Sequence, residues 1–239
     1  MLENIYDIHT HILPGVDDGS KSFDESMEIL KKEYGAGVRT IYATSHYRLG
    51  MFEPKLETVK ERYKILCESA KKSFPNLKII LGCEFHACEN MVSILDDELR
   101  PTLGNSGCVL VEFSSIHNYD YIRNKCYELL VGNYTPIIAH IERYPALFNR
   151  FDLIEELIGM GAYTQMNANT ILGKDGFKYK MFAKKMMKND LVHFIASDVH
   201  NTRERTTHIG ECIEYVTNKM GQSYADKIFC YNPENIINR

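Results

Sequence analysis

The chain has 239 residues, 44% of them hydrophobic and 25% charged, with a formal net charge of -4. That length fits one large domain or two small ones and can bury a core without disulfide staples. The near-balanced charge excludes a strongly basic nucleic-acid binder, and no apolar run approaches the ~18–20 residues that span a bilayer.

The opening Met1-Leu2-Glu3-Asn4 has neither a basic start nor an apolar signal core, so a cytoplasmic protein is expected. β-Branched runs predict strands over 5–11, 39–44, 78–83, 108–113, 135–141, 162–167 and 191–197. Between them, amphipathic patterns predict helices over 23–36, 55–73, 88–99, 119–132, 150–160, 176–189 and 203–220. The first helix opens on a capping box, Ser22-x-x-Glu25, and closes at Gly35-Ala36-Gly37. Near-continuous apolar strands such as Cys108-Val109-Leu110-Val111 suit parallel strands covered on both faces. Each βα unit takes about 34 residues, close to one βαβ repeat. With no linker or low-complexity tract, residues 1–239 read as one domain, a closed or nearly closed β/α barrel. An open doubly wound sheet is the alternative, but no Gly-x-Gly-x-x-Gly follows the first strand.

In such barrels the reacting groups collect at the C-terminal ends of the strands. Here those ends carry His9 and His11, His46, Glu84, Glu112, His140, and Asp198 with His200, and the loop after strand one adds Asp18. A lone His or Glu at a strand end is more often a hydrogen-bonded cap, but convergence at six ends of seven is not explained by capping. Buried carboxylates must be paired or must coordinate metal. One cation takes about four to six ligands, so nine candidates imply at least two ions and a bridging carboxylate. Nitrogen and oxygen donors without thiolate suit Mn, Zn or Fe.

The pattern Asp7-x-His9-x-His11, His46, Glu84, Glu112, His140 and Asp198-x-His200 resembles the polymerase-and-histidinol-phosphatase (PHP) superfamily. The longer strings from His11 to Gly19, from Gly37 to Ile41, from Ile138 to Tyr144 and from Ser197 to Asn201 resemble its bacterial tyrosine-protein phosphatases of capsule and exopolysaccharide clusters. The resemblance spans essentially the whole chain. It implies a distorted (β/α)7 barrel of the PHP fold holding two to three divalent ions, Mn first and Fe or Zn as alternatives. It also implies a substrate, the phosphotyrosine tail of a bacterial tyrosine kinase, hydrolysed by metal-activated hydroxide attack. Arg143 and Arg205 match the family's phosphate-contacting arginines. Loop 47–52, Tyr-Arg-Leu-Gly-Met-Phe, departs from relatives that place two adjacent basic residues there.

The seven cysteines are odd in number and form no Cys-x-x-Cys pair. A cysteine-dependent phosphatase needs arginine six positions after its thiolate. The residues at that spacing are Ser73, Glu89, Ile94, Ser114, Gly132, Asn218 and Ile236. Of the remaining histidines, His193 reads as structural, His208 as an exposed helix residue, and His86 and His117 as neighbours of the barrel mouth. Two alternatives stay open: a histidinol-phosphate or other small phosphomonoester phosphatase, and a non-catalytic kinase-binding regulator. A homo-oligomer is possible on the resemblance alone; no membrane segment and no nucleic-acid partner are expected.

Overall fold

The computed structural model describes residues 4–237. Strands and helices alternate in the order β1 (Ile5–Thr10), α1 (Phe23–Gly35), β2 (Val38–Ala43), β3 (His46–Tyr47), α2 (Leu56–Ser73), β4 (Lys78–Leu81), β5 (Glu84–His86) and α3 (Met91–Asp96). There follow β6 (Cys108–Glu112), α4 (Tyr119–Val131), β7 (Thr135–Ile138), α5 (Phe151–Met160), β8 (Tyr163–Asn167), α6 (Ala168–Leu172) and α7 (Phe177–Lys188). The chain ends through β9 (Phe194–Ala196), α8 (Ile209–Met220), α9 (Gln222–Asp226) and two wide helical turns at Lys227–Tyr231 and Pro233–Ile237. Among the described residues no helix is long and apolar enough to cross a membrane.

The strands run parallel and curl into a sheet with helices around it, but the ladders do not form one continuous ring. They divide into β1-β2-β4 and β3-β5-β6-β7-β8-β9. The barrel expectation therefore holds for the curled sheet and its helices, not for closure. The break lies within a predicted strand: β4 pairs with β2, and after Gly82-Cys83 the chain resumes as β5, paired with β6. The turn Leu103–Asn105 packs into the gap left between β4 and β6, and a Cβ on Gly82 would lie 2.8 Å from Leu103 Cδ2.

At the opposite seam β9 meets β1. Asp198 N–H donates to the His9 carbonyl at 3.0 Å and His11 N–H to the Val199 carbonyl at 2.9 Å. Buried Asp7 adds a side-chain link, accepting the Ser197 N–H at 3.1 Å and the His9 N–H at 3.3 Å. A register shift between Asp7 and Thr10 falls where β1 turns from core to site. Below it Tyr6 and Ile8 pack with Tyr42, Leu110, Ile137 and Phe194 inside the curled sheet, and above it stand His9 and His11.

The Ser22 hydroxyl caps α1 by accepting the Glu25 N–H at 3.2 Å, while Glu25 reaches back to the Lys21 N–H at 2.8 Å. Gly37 follows that helix with a φ of 95°, which a glycine adopts without strain. The helix expected from 203 begins only at Ile209. Asn201 Oδ1 accepts the N–H groups of Arg203 at 2.9 Å and Arg205 at 3.1 Å, holding that stretch as a loop. No disulfide forms among the described residues. Cys83, Cys108, Cys126, Cys212 and Cys230 are buried, and burial pushes the Cys83 and Cys126 thiols up to about 12.

Candidate metal centre

The nine side chains singled out in the sequence meet at one mouth of the curled sheet. The Nε2 atoms of His9 and His11 lie 3.2 Å apart, each 3.1 Å from Glu84 Oε2. Asp198 Oδ1 stands 3.4 Å and 3.5 Å from the same two nitrogens. The other Glu84 oxygen, Oε1, is 2.8 Å from His140 Nε2, which is 3.7 Å from Glu112 Oε1. On the far side Asp18 Oδ1 is 3.5 Å from His46 Nε2 and 3.4 Å from His200 Nε2. His46 Nδ1 turns back to Glu84 Oε2 at 2.9 Å. Glu84 is thus the hub of the cluster, and it is fully buried.

Four of these imidazoles are oriented from behind. His11 Nδ1 faces the Asp17 carboxylate at 2.8 Å, His9 Nδ1 faces Gln165 Oε1 at 3.1 Å, and His200 Nδ1 faces the Asp198 carbonyl at 2.9 Å. His140 Nδ1 lies 3.2 Å from the Tyr144 hydroxyl, whose proton is committed to the Ala139 carbonyl at 2.9 Å. Each partner can accept a proton from Nδ1, and with the protons there the Nε2 lone pairs turn toward the mouth, where carboxylate oxygens face His9, His11 and His140 as acceptors on that side too. The lone pairs of His9 and His11 then point at each other and at carboxylate oxygens, an arrangement that a cation relieves.

The same conclusion follows from the orphaned atoms. Asp18 Oδ1, His46 Nδ1, Glu84 Oε2, Glu112 Oε2, Asp198 Oδ1 and His200 Nε2 are buried without a hydrogen bond of good geometry. Leaving one such group unsatisfied costs about 1–3 kcal/mol, more if it is charged, and here six converge. Three sets of donors lie close enough to hold a cation: His11, Asp18, His46 and His200; His9, His11 and Glu84; His46, Glu84 and Glu112. His140 and Asp198 adjoin these through Glu84 and His9. The donor chemistry and spacing fit a divalent metal.

Electrostatics follow the packing. Burial would raise the Glu84 carboxyl, but the imidazoles of His9 and His46 outweigh it and hold the group well below the usual carboxylate range. Burial and then the Glu84 charge push Glu112 up to about 7. For Asp198, burial is outweighed first by Arg143 and then by His9, and the carboxyl is held well down.

Arg143 is carried on the tight turn Ile141–Arg143 that follows β7, and its Nη2 donates to Asp198 Oδ2 at 2.7 Å. It is not the surface partner of Glu142, which is buried and accepts the Asn167 N–H at 2.9 Å. Arg205 Nη1 donates to Asp18 Oδ2 at 3.0 Å from the loop that Asn201 holds. Between the two guanidiniums lies a pocket of about 140 Å³ lined also by Asn167, Ser197 and Asp198. A larger groove of about 760 Å³ runs beside Ile80, Arg100 and Gly104 at the β4 seam and includes none of the nine donors.

The other histidines stand apart. His86 and His117, with ring centres 6.1 Å apart, border the mouth outside the three donor sets. His193 is a packing residue whose Nδ1 accepts the Thr164 N–H at 3.2 Å. His208 precedes α8 rather than lying within it, and it is half-buried and paired with Glu211 at 2.7 Å. The sequence reading passes over Asp17, Tyr144, Gln165 and Asn167 as site residues. Asp17 was within reach through Gly19: a Cβ there would lie 2.3 Å from the His11 carbonyl, so the loop must fold tightly onto the site. Gln165 and Asn167 give no such signal, being uncharged residues on a strand without a ligand.

Fold and site together define an α/β protein with a divalent-metal centre at the C-terminal mouth of a curled parallel sheet. Residues 5–238 match the family described as capsular polysaccharide synthesis, CpsB/CapC, and the chain belongs to that family. It is 39% identical over 236 residues to the tyrosine-protein phosphatase CpsB of Streptococcus pneumoniae, covering 97% of each chain. It is 37% identical over 236 residues to the CpsB phosphatase of Streptococcus agalactiae serotype V, again covering 97% of each. A crystal structure from a study of YwqE from Bacillus subtilis and CpsB from Streptococcus pneumoniae, described as metal-dependent tyrosine phosphatases, superposes with a TM-score of 0.86. That match is at 29% identity and covers 92% of this chain and 90% of the other.

Proposed function

We propose that the protein is a metal-dependent tyrosine-protein phosphatase that removes phosphate from the tail of a bacterial tyrosine kinase controlling capsule or exopolysaccharide synthesis. The observation that carries the reading is the convergence of nine N and O donors beside two arginines. Two or three divalent ions, Mn foremost, would be held by the three donor sets His9, His11 and Glu84; His46, Glu84 and Glu112; and His11, Asp18, His46 and His200, with Asp198 and His140 completing the cluster beside His9 and Glu84. When bound, the ions lower the pKa of water toward neutrality and withdraw charge from phosphoryl oxygens.

The chain's own residues do the rest. Glu84, fully buried, offers one oxygen to each of two neighbouring donor groups and sets their separation. Arg143 and Arg205 flank the 140 Å³ pocket and supply charge-assisted hydrogen bonds to phosphoryl oxygens, whose charge spreads in the transition state. Asp198 Oδ2 and Asp18 Oδ2 hold those guanidiniums in place before substrate arrives. A tyrosine ester asks little of a general acid, because phenolate has a pKa of ~10 and leaves with less protonation than an alkoxide needs.

The test is a side-by-side turnover measurement with Mn present. A tyrosine-phosphorylated peptide should be hydrolysed with the higher kcat/KM, and histidinol phosphate poorly. A preference for histidinol phosphate, or inertness toward both, would overturn the proposal.

A further inference from the structure

β8 carries no candidate ligand, yet two of its side chains reach the site. Gln165 is fully buried, with Oε1 2.8 Å from the backbone N of His140 and 3.1 Å from His9 Nδ1. Its Nε2 lies 2.8 Å from Asn167 Oδ1, and Asn167 Nδ2 lies 2.8 Å from Asp198 Oδ2. The ends of this chain admit one orientation. A backbone N–H only donates, so the Gln165 atom facing His140 is its oxygen; an ionised carboxylate only accepts, so the Asn167 atom facing Asp198 is its nitrogen. With both ends set, the Gln165 oxygen can only accept from His9 Nδ1, which leaves Nε2 to face the donor cluster.

The backbone supplies a second observation. His140 has a φ of 30° and Asp198 a φ of 53°, left-handed conformations that residues with a Cβ keep only when their surroundings hold them. Gln165 holds the N–H of the first, and Asn167 holds the side chain of the second.

We infer that Gln165 and Asn167 are positioning residues of the metal centre. Gln165 fixes His9 with its Nε2 lone pair facing the ions. Asn167 grips Asp198 by Oδ2, leaving Oδ1 turned toward His9 and His11. The same Oδ2 also takes Arg143 at 2.7 Å; when Arg143 turns to a phosphoryl oxygen, Asn167 keeps Asp198 in register. This rests on the metal-centre reading above.

The test is Mn titration by calorimetry beside steady-state turnover. Gln165→Leu should bind Mn ~10–100-fold more weakly, with kcat recovering at saturating Mn. Gln165→Glu, which keeps the acceptor for His9 and His140, should regain most of that affinity. A folded Gln165→Leu protein with wild-type Mn affinity would overturn the inference while leaving the metal centre intact. Wild-type protein that took up no Mn would instead overturn the metal-centre reading itself.

Discussion

His9 Nε2 and His11 Nε2 face each other at 3.2 Å, while the opposite nitrogens of both rings are spent on Gln165 and Asp17. Two neutral imidazoles do not choose this arrangement for its own energy. A cation held between the two nitrogens relieves it.

Metal should therefore stabilise the fold. A ligand that binds only the native state contributes RT ln(1 + [L]/Kd), about 2.7 kcal/mol at a hundredfold excess over Kd. Adding Mn to chelator-treated protein should raise Tm in a concentration-dependent way. A Tm indifferent to Mn would contradict the account.

Arg143 is set beside the 140 Å³ pocket by Asp198, without being one of the nine donors. Arg143→Gln should lower kcat about 10²–10³-fold, the loss seen when one donor to transition-state charge is removed, with metal content unchanged. Wild-type turnover in that variant would remove Arg143 from the chemistry.

Glu33, on the inner face of α1, is fully buried, and neither oxygen makes a hydrogen bond of good geometry. Burial, then the charge of Asp7, pushes its carboxyl well above the usual range. A group raised in the folded state favours folding below its unfolded pKa, and that contribution is lost as pH rises through the folded value. Glu33→Gln should hold its urea midpoint as pH rises above about 4.5, where wild type declines. Parallel pH profiles for the two proteins would refute this.

His193 is drawn down from 6.5 to about 4 by burial and then by Lys227, and its Nδ1 accepts the Thr164 N–H. A depressed histidine contributes stability above its unfolded pKa that is lost as pH falls through the folded value, here from about 6.5 to about 4. An NMR titration should place its midpoint near the lower figure. A midpoint at the ordinary histidine value would show the ring to be solvated.

The donors were legible in the sequence because strand ends advertise themselves: a β-branched run that stops at His, Glu or Asp places that side chain at the mouth. Closure was not legible, because the kink at Gly82-Cys83 and the turn Leu103–Asn105 that fills it depend on contacts between distant segments. The start of α8 was hidden for a similar reason, since Asn201 folds residues 203–205 into a loop from which Arg205 reaches Asp18, a residue far away in sequence. Gln165 and Asn167 acquire their roles only when β8 is laid between β7 and β9.

The most direct test of the central claim is elemental analysis of purified protein that hydrolyses a phosphotyrosine peptide. The account predicts two or three divalent ions per chain, with turnover lost on their removal and restored by Mn. Full activity in protein carrying no metal would contradict it.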